Sequence, residues 1–293
     1  MRALRLHVLG DPASLVVERL PVPTLSSGEA LVRVHAAAIT RDELEWPEGR
    51  LPATPSYELS GVVEEIAGDA DGIDVGDHVF ALTSFDRDGV AAEYAAVPCS
   101  IIAPKPVTLG HVESAAIPLP ALSAWQGLFD HGRLEPGGRV LIHGAAGGVG
   151  GFAVQLARSR GAHVVATASP GNIDAVKALG ADEVIDYTNT PFEEAGTFDV
   201  VFDTAGGERL QRSPGVLVEG GRLVSVATEP PAGGVFFIVE PNREQLVELA
   251  RLADAGELSS TVEAVYPLAE ARTAFDLSLA GSRRGKIVLE VAE

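Results

Sequence analysis

"HGAAGGVGGFAVQLARSRGA", residues 143–162, places six glycines in a stretch whose second half is amphipathic. Glycine gives up conformational entropy on folding, so a run of them marks a backbone that needs unusual angles or lets something come close. A buried-type strand, "RVLIHG" (139–144), stands before it, and a helical pattern, "VGGFAVQLARSRG", follows. A glycine-rich turn between strand and helix aims backbone N–H groups at a phosphate on the positive helix end. Two registers compete. Gly148-Val149-Gly150-Gly151-Phe152-Ala153 fits G-x-G-x-x-A literally, whereas Ala145-Ala146-Gly147-Gly148-Val149-Gly150 fits with alanine in the first place. The tight turn belongs directly after the strand, which favours the second. Gly147 then lets a pyrophosphate approach and Gly150 lets the helix pack on the strand.

Which dinucleotide is decided about 20 residues further on, where an NAD site carries Asp or Glu for the ribose 2′-hydroxyl. The second strand, "HVVATAS" (163–169), runs into "PGN", with no acid before Asp174. A 2′-phosphate is tolerated there, with Ser169 and Asn172 as donors, so the expected cofactor is NADPH. The arginine that usually accompanies a 2′-phosphate is missing, and Lys177 is the first base downstream.

Outward from this turn, strands and helices alternate: a helix through "IDAVKALG", then "EVIDY" (183–187), "FDVVFDTA" (198–205), "GRLVSVAT" (221–228) and "VFFIVE" (235–240). The alternation predicts parallel βαβ units in a doubly wound sheet of about six strands. Asn242 with Gln245 three residues on starts a further helix with a capping pattern. Residues up to about 110 read differently, as short β-rich runs cut by Gly, Pro and Asp, the grammar of a barrel or sandwich. The tail, "TVEAVYPLAEARTAFDLSLAGSRRGKIVLEVAE", returns to strand, helix, strand and is expected to rejoin the first domain. The expected division is 1–114 completed by 262–293, with 115–261 as the dinucleotide-binding domain.

A chain of 293 residues suits two domains. Its net charge of −19 excludes nucleic acid and anionic membrane as natural partners, since phosphate surfaces need a basic face. Cys99 is the single cysteine, so no intrachain disulfide forms. Neither a signal-peptide core nor an apolar run near the roughly 20 residues that span a bilayer is present, and a cytoplasmic location is expected. One cysteine and seven scattered histidines supply no zinc-ligand set at recognisable spacing.

Together, "VHAAAITRDELEW", "PSYELSGVVEEIAG", "VGDHVFAL", "GVAAEYAAVP", "PLPALSAWQGLFDHGRLEPGGRVLIHGAAGGVGGFAVQLARSRGA", "LGADEVIDY", "FDTAGG" and "RRGKIVLEV" run in order over nearly the whole chain. They resemble the medium-chain dehydrogenase/reductase superfamily, in its zinc-independent quinone oxidoreductase branch. The resemblance implies an α/β chain with a split GroES-like β-barrel domain, a Rossmann doubly wound parallel sheet domain, and an active cleft where the two meet. In the zinc alcohol dehydrogenases of that superfamily a cysteine stands near the place of Thr40, and a His precedes the Glu of a G-H-E motif. Here the motif reads Ser56-Tyr57-Glu58. The cysteine-rich structural-zinc lobe has no counterpart, so no metal is expected.

Carried over by position, the resemblance puts Thr40 and Ser123 by the nicotinamide, and Ala146, Gly147, Gly148 and Val149 on the pyrophosphate. Ser169 and Asn172 fall near the 2′-phosphate and Tyr187 by the adenosine. Ala205 and Gly206 follow the fourth strand, Phe237 and Val239 lie beside the carboxamide, and Lys286 in "GKIVL" approaches the cofactor. Thr40, Tyr57 and Ser123 are the catalytic candidates. Each has a plainer reading. Thr40 with Glu43 makes a capping box. Ser123 packs in a helix, and Tyr57 and Trp46 pack the domain. His143 is a satisfied structural histidine, and Asp203 orders a turn.

Three functions are carried forward: an NADPH-dependent reductase of quinones or α,β-unsaturated carbonyls, a non-catalytic NADP(H)-binding redox sensor, and an enoyl-thioester reductase. A basic entrance for a carrier phosphate would favour the last, and this chain is acidic. The apolar run Val235–Val239, uninterrupted by Pro or Lys in what should be a sheet-edge strand, predicts a homodimer through that edge.

Overall fold

Small and β-branched residues dominate the first hundred positions, and they pair as strands. The computed structural model describes residues 1–70, 72–280 and 284–291. The first strands are β1 (Arg2–Leu6), β2 (Leu15–Arg19), β3 (Glu29–Ile39) and β4 (Glu58–Ala67). After them come β5 (His78–Leu82), β6 (Tyr94–Pro98) and β7 (Ala103–Pro104), then the short helix α1 (His111–Ala115). The chain continues through α2 (Pro118–Trp125), β8 (Arg139–His143), α3 (Gly148–Ser159), β9 (His163–Ala168), α4 (Ile173–Ala178) and β10 (Glu183–Asp186). It proceeds with β11 (Phe198–Asp203), α5 (Gly207–Arg212), β12 (Leu217–Ser225) and β13 (Val235–Phe236). The last elements are α6 (Arg243–Asp254), β14 (Val262–Pro267), α7 (Ala271–Leu279) and β15 (Lys286–Glu290).

Two units result: Met1–Leu119 with Glu240–Gly256 and Ser260–Glu293, and Pro120–Val239 with Glu257–Ser259. The first holds a hairpin of β1 and β2 and a seven-stranded sheet ordered β14-β15-β3-β4-β5-β7, with β6 on β3. Its long central strand β3 pairs antiparallel with β4, β6 and β15. Alanines make this possible. Ala36, Ala38, Ala115, Ala116 and Val288 form one buried cluster, so α1 lies close on the sheet. The tail rejoins the first unit as expected, β15 closing on β3 and β14 adding in parallel.

The second unit is a six-stranded sheet ordered β10-β9-β8-β11-β12-β13, every pairing parallel. Its strands read as apolar runs because helices cover both faces. The order reverses at β8, and the glycine turn follows β8 directly, the place where doubly wound sheets bind ligands.

Two expectations shift. Helix α6 groups with the first unit and not with the sheet domain expected to span 115–261. Its far end is tied there by Asp254 Oδ1, which accepts from the Thr108 N–H and hydroxyl at 2.9 and 2.8 Å. The strand expected over 235–240 pairs only at Val235–Phe236, because its neighbour β12 ends at Ser225 and the Phe237 N–H takes the last carbonyl at 3.4 Å. The cap of α6 forms as expected, Asn242 Oδ1 accepting from the Gln245 N–H at 3.0 Å.

Candidate active site

In the second unit the turn after β8 is built by steric need. Gly144 adopts φ +76°, a left-handed angle that favours glycine. A Cβ on Gly150 would drive into the Gly144 carbonyl oxygen, so α3 could not start where it does with any other residue there. The N-cap position is Gly147, which supplies no capping side chain. The first N–H groups of α3, from Gly148, Val149 and Gly150, are therefore those an anion can take. Ala146, Gly147, Gly148 and Val149 are all partly exposed at this turn. These features fit a dinucleotide pyrophosphate.

Around the turn, Thr204 Oγ donates to the His143 carbonyl at 2.8 Å. Asp203 Oδ2 accepts from the Gly206 N–H at 2.8 Å and from Ser225 Oγ at 3.2 Å, which fixes the Ala205–Gly206 bend as an ordered turn. Ser169 Oγ accepts from Asn172 Nδ2 at 3.1 Å just beyond β9. Phe237 is buried with its ring 4.4 Å from that of His131, and Val239 is buried near the end of the unit. Ser123 is buried on α2. His143 is fully buried, its ring nitrogens meeting Thr167 Oγ at 3.1 Å and Ser213 Oγ at 3.2 Å. Burial, with the charges of Arg209 and Arg212 behind it, lowers its pKa to about 3. It is a neutral structural histidine.

The first unit holds a buried polar cluster that spacing did not announce. Lys286 Nζ donates to Thr40 Oγ at 2.9 Å and pairs with Glu58 Oε1. The other carboxylate oxygen of Glu58 accepts from the Leu119 N–H at 2.9 Å. Beside them Glu43, wholly buried, accepts from the Thr40 N–H and the Ser56 N–H, each at 3.0 Å. Half of the expected capping box is thus present: Glu43 reaches back to Thr40, but the Thr40 hydroxyl turns to Lys286. Ser56 sits at φ +65°, a left-handed angle held by the Glu43 bond and by its own hydroxyl donating to the Ala38 carbonyl at 2.7 Å. Tyr57, next in the chain, is buried, with Arg50 facing its hydroxyl. Its ring packs with Trp46 and Phe85 at centroid distances of 5.6 and 5.2 Å. Burial pushes the phenol pKa up, which makes it a poor acid.

The signals for this cluster were present but local. Glu58 opens an apolar strand, and Lys286 is one of only three lysines and begins another. Burial pushes the Glu43 pKa up to about 8, Lys286 pulling against it, and raises that of Glu58 in the same way. Burial thus keeps the Glu43 carboxyl protonated at neutral pH, beside the Lys286–Glu58 pair.

Among the described residues no three His, Cys, Asp or Glu side chains converge to hold a metal. The imidazoles of His35, His78 and His111 lie ring on ring, with centroids 4.4 and 5.2 Å apart about His111, and surround no common point. The residues at Thr40, Tyr57 and Glu58 do not fit a zinc ion.

A parallel sheet with a glycine turn at its switch point, joined in one chain to a sheet closed by its own C-terminal strand, defines a class of dinucleotide-dependent enzyme. The chain belongs to the medium-chain dehydrogenase/reductase superfamily, as a quinone oxidoreductase-like member. Family models for the alcohol dehydrogenase GroES-like domain and for zinc-binding dehydrogenase match residues 26–107 and 179–289. It is by that membership an oxidoreductase working with a nicotinamide cofactor. It is 32% identical to a probable zinc-binding oxidoreductase, mitochondrial, of Arthroderma benhamiae, over 99% of this chain and 96% of the relative. It is 34% identical to 2-methylene-furan-3-one reductase of Solanum lycopersicum, over 92% of this chain and 73% of that one. The solved quinone oxidoreductase from Coxiella burnetii superposes with a TM-score of 0.92 at 31% identity, covering 100% of this chain and 99% of the other.

Two expectations follow from the buried cluster. Because the folded pKa of Glu43 lies above its unfolded value of about 4.3, folding holds a proton that the unfolded chain releases. Stability is therefore greatest below that value and falls as pH rises toward about 8. Carboxyl carbon-13 titration, with Glu43 assigned by its loss in Glu43→Ala, should give a midpoint near 8; one in the ordinary carboxylate range refutes the protonated Glu43. Lys286→Met, which strands two buried carboxyls, should cost about 3–5 kcal/mol in denaturant unfolding. A loss below about 1 kcal/mol would show the ammonium is not what holds them.

Proposed function

We propose that this chain is an NADPH-dependent reductase of quinones or α,β-unsaturated carbonyls that works by direct hydride transfer without zinc. The observation that carries the reading is the Thr40 hydroxyl. It accepts from the Lys286 ammonium, so its own proton is free to be donated away from the cluster. Where a zinc enzyme of this superfamily would polarise a carbonyl by metal, the chain offers a hydroxyl backed by a buried cation. A likeness to the tomato furanone reductase and the Coxiella quinone oxidoreductase supports the substrate class.

Bound NADPH supplies a hydride from C4 of its nicotinamide. Gly147, Gly148 and Val149 would hold the pyrophosphate by backbone N–H groups, and Ser169 and Asn172 stand at the end of β9 where a 2′-phosphate falls. The absence of any carboxylate between Ala168 and Asp174 removes the repulsion that would select NADH. Thr40 orients the acceptor carbonyl and lends a hydrogen bond to the oxygen on which charge grows. The proton that completes the two-electron reduction comes from solvent, with the buried, high-pKa Tyr57 keeping its own. Positioning and the exclusion of water supply most of the acceleration.

A panel of quinones, enones and enoyl thioesters, with NADPH consumption followed by absorbance, tests the reading directly. Deuterium from C4-labelled NADPH should appear in an enone product, and elemental analysis of active protein should find well under one zinc per chain. Ser169→Asp should shift preference toward NADH. Turnover confined to thioesters, binding without turnover, or stoichiometric zinc lost together with activity would each overturn it.

We also propose a homodimer through the edge of the second sheet. Val235, Phe236 and Ile238 stand 37%, 36% and 68% exposed on this outermost strand and its continuation. An open apolar edge invites pairing with a second copy about a two-fold axis. Light scattering on a sizing column should give twice the chain mass, and Val235→Lys should return a folded monomer. A wild-type monomer at micromolar concentration refutes the dimer.

A further inference from the structure

No base stands in the segment directly after β9, yet a guanidinium comes to that end of the sheet from elsewhere in the chain. The Tyr187 N–H donates to the carbonyl of Ala168 at 3.3 Å, so Tyr187 lies beside the last residue of β9, the one before Ser169. From α5, the guanidinium carbon of Arg209 sits 4.2 Å from the centroid of the Tyr187 ring. Four groups thus share the carboxyl ends of β9 and β10: the Arg209 guanidinium, the Tyr187 ring, Ser169 and Asn172.

Arg209 enters no ion pair there, although the Asp203 carboxyl feels its charge. The ion pairs of the second unit among the described residues are Arg139–Glu183, His163 with Asp182 and Glu183, and Arg212–Glu193; Arg209 enters none of them. Its Nε is buried with no hydrogen-bond partner. The carboxylates nearby make hydrogen bonds of their own. Asp186 is folded into its own turn by the Thr188 N–H, the Thr188 hydroxyl and Asn189 Nδ2 at 2.9, 2.7 and 2.6 Å. Asp203 is held through Oδ2 by Gly206 and Ser225 and makes no direct ion pair with the guanidinium. Behind the guanidinium, His143 offers no compensating charge. A half-buried arginine with unused donors and one face on an aromatic ring is costly unless an anion completes it. The planar fork left over is the shape that phosphate oxygens accept in pairs.

We infer that Arg209, laid on Tyr187, is the cation that reads the 2′-phosphate beside Ser169 and Asn172, and so sets NADPH over NADH. The inference rests on the proposed nicotinamide site, and it supplies the arginine that the segment after β9 lacks. Arg209 comes from the crossover after β11, with Tyr187 as the platform that fixes its plane.

Calorimetric titration with 2′,5′-ADP and 5′-AMP separates the 2′-phosphate from the rest of the dinucleotide and needs no turnover. The wild-type protein should bind 2′,5′-ADP at least about tenfold more tightly. In Arg209→Met the affinity for 5′-AMP should hold while that for 2′,5′-ADP falls about 10- to 100-fold, the range of charge-assisted hydrogen bonds. Arg209→Lys, which keeps the charge but not the planar fork, should lie between. If Arg209→Met keeps the wild-type preference, or weakens both ligands alike, Arg209 does not read the 2′-phosphate, although the NADPH proposal stands. A wild-type protein with no preference overturns the NADPH proposal and this inference with it. Should Arg209→Met fail to fold, Arg209→Lys decides: an unchanged preference for 2′,5′-ADP would then show that charge alone, without the stacked fork, suffices and would overturn the assignment.

Discussion

One buried lysine ties together three strands of the first unit. Lys286 opens the last strand, Thr40 follows β3 and Glu58 opens β4, and the Lys286 Nζ touches both partners. β3 and β4 pair directly, and β15 joins β3 only by returning from the far end of the chain. The contact therefore closes the sheet and aims a hydroxyl in a single step. Burying an ion pair is rarely a net gain over well-packed apolar side chains. The cluster makes sense as a device that holds the Thr40 hydroxyl in one rotamer with its proton turned outward.

The same economy explains Glu43. A second full negative charge beside Glu58 would leave one cation to balance two anions in a buried place. Burial instead keeps the Glu43 carboxyl protonated well above its usual range, and its oxygens serve the Thr40 and Ser56 N–H groups. Ser56 can then stay in its left-handed conformation, and that bend turns the chain from the Tyr57 ring into β4. An acid that elsewhere would be a surface charge becomes a bracket for two backbone segments.

What the sequence disclosed follows from the range of each cause. The glycine turn was legible because its requirements are local: a strand end, a left-handed Gly144 and a Gly150 with no room for a Cβ lie within seven positions of one another. The alternation of strands and helices carried the sheet and its parallel sense for the same reason, and the Asn242 cap is a matter of three residues. The Lys286–Thr40 bond joins positions 246 apart, and no spacing rule reaches that far. The stacking of Arg209 on Tyr187 joins α5 to the end of β10, and a ring contact of that kind has no period in the sequence. The strand at 235 was drawn too long because its apolar run continues past Phe236 while its partner stops at Ser225. Helix α6 was given to the wrong unit because an amphipathic helix does not say which core its apolar face serves; Asp254 and Thr108 decide that.

The acid balance of the chain makes the placement of its few cations matter more. With a net charge of −19, the long-range field of this protein opposes any anionic ligand. A dinucleotide phosphate is then held by groups within hydrogen-bonding distance or not held at all. The N–H groups at the start of α3 carry no formal charge and cost the acidic surface nothing. Of the three lysines, Lys286 is committed inside the first unit. In the second unit, Arg139 is engaged by Glu183, and Arg212 by Glu193. On the proposed reading, Arg209, outside such pairs and steadied on the Tyr187 ring, gives an acidic protein selectivity for one extra phosphate through contact geometry and not through attraction at a distance.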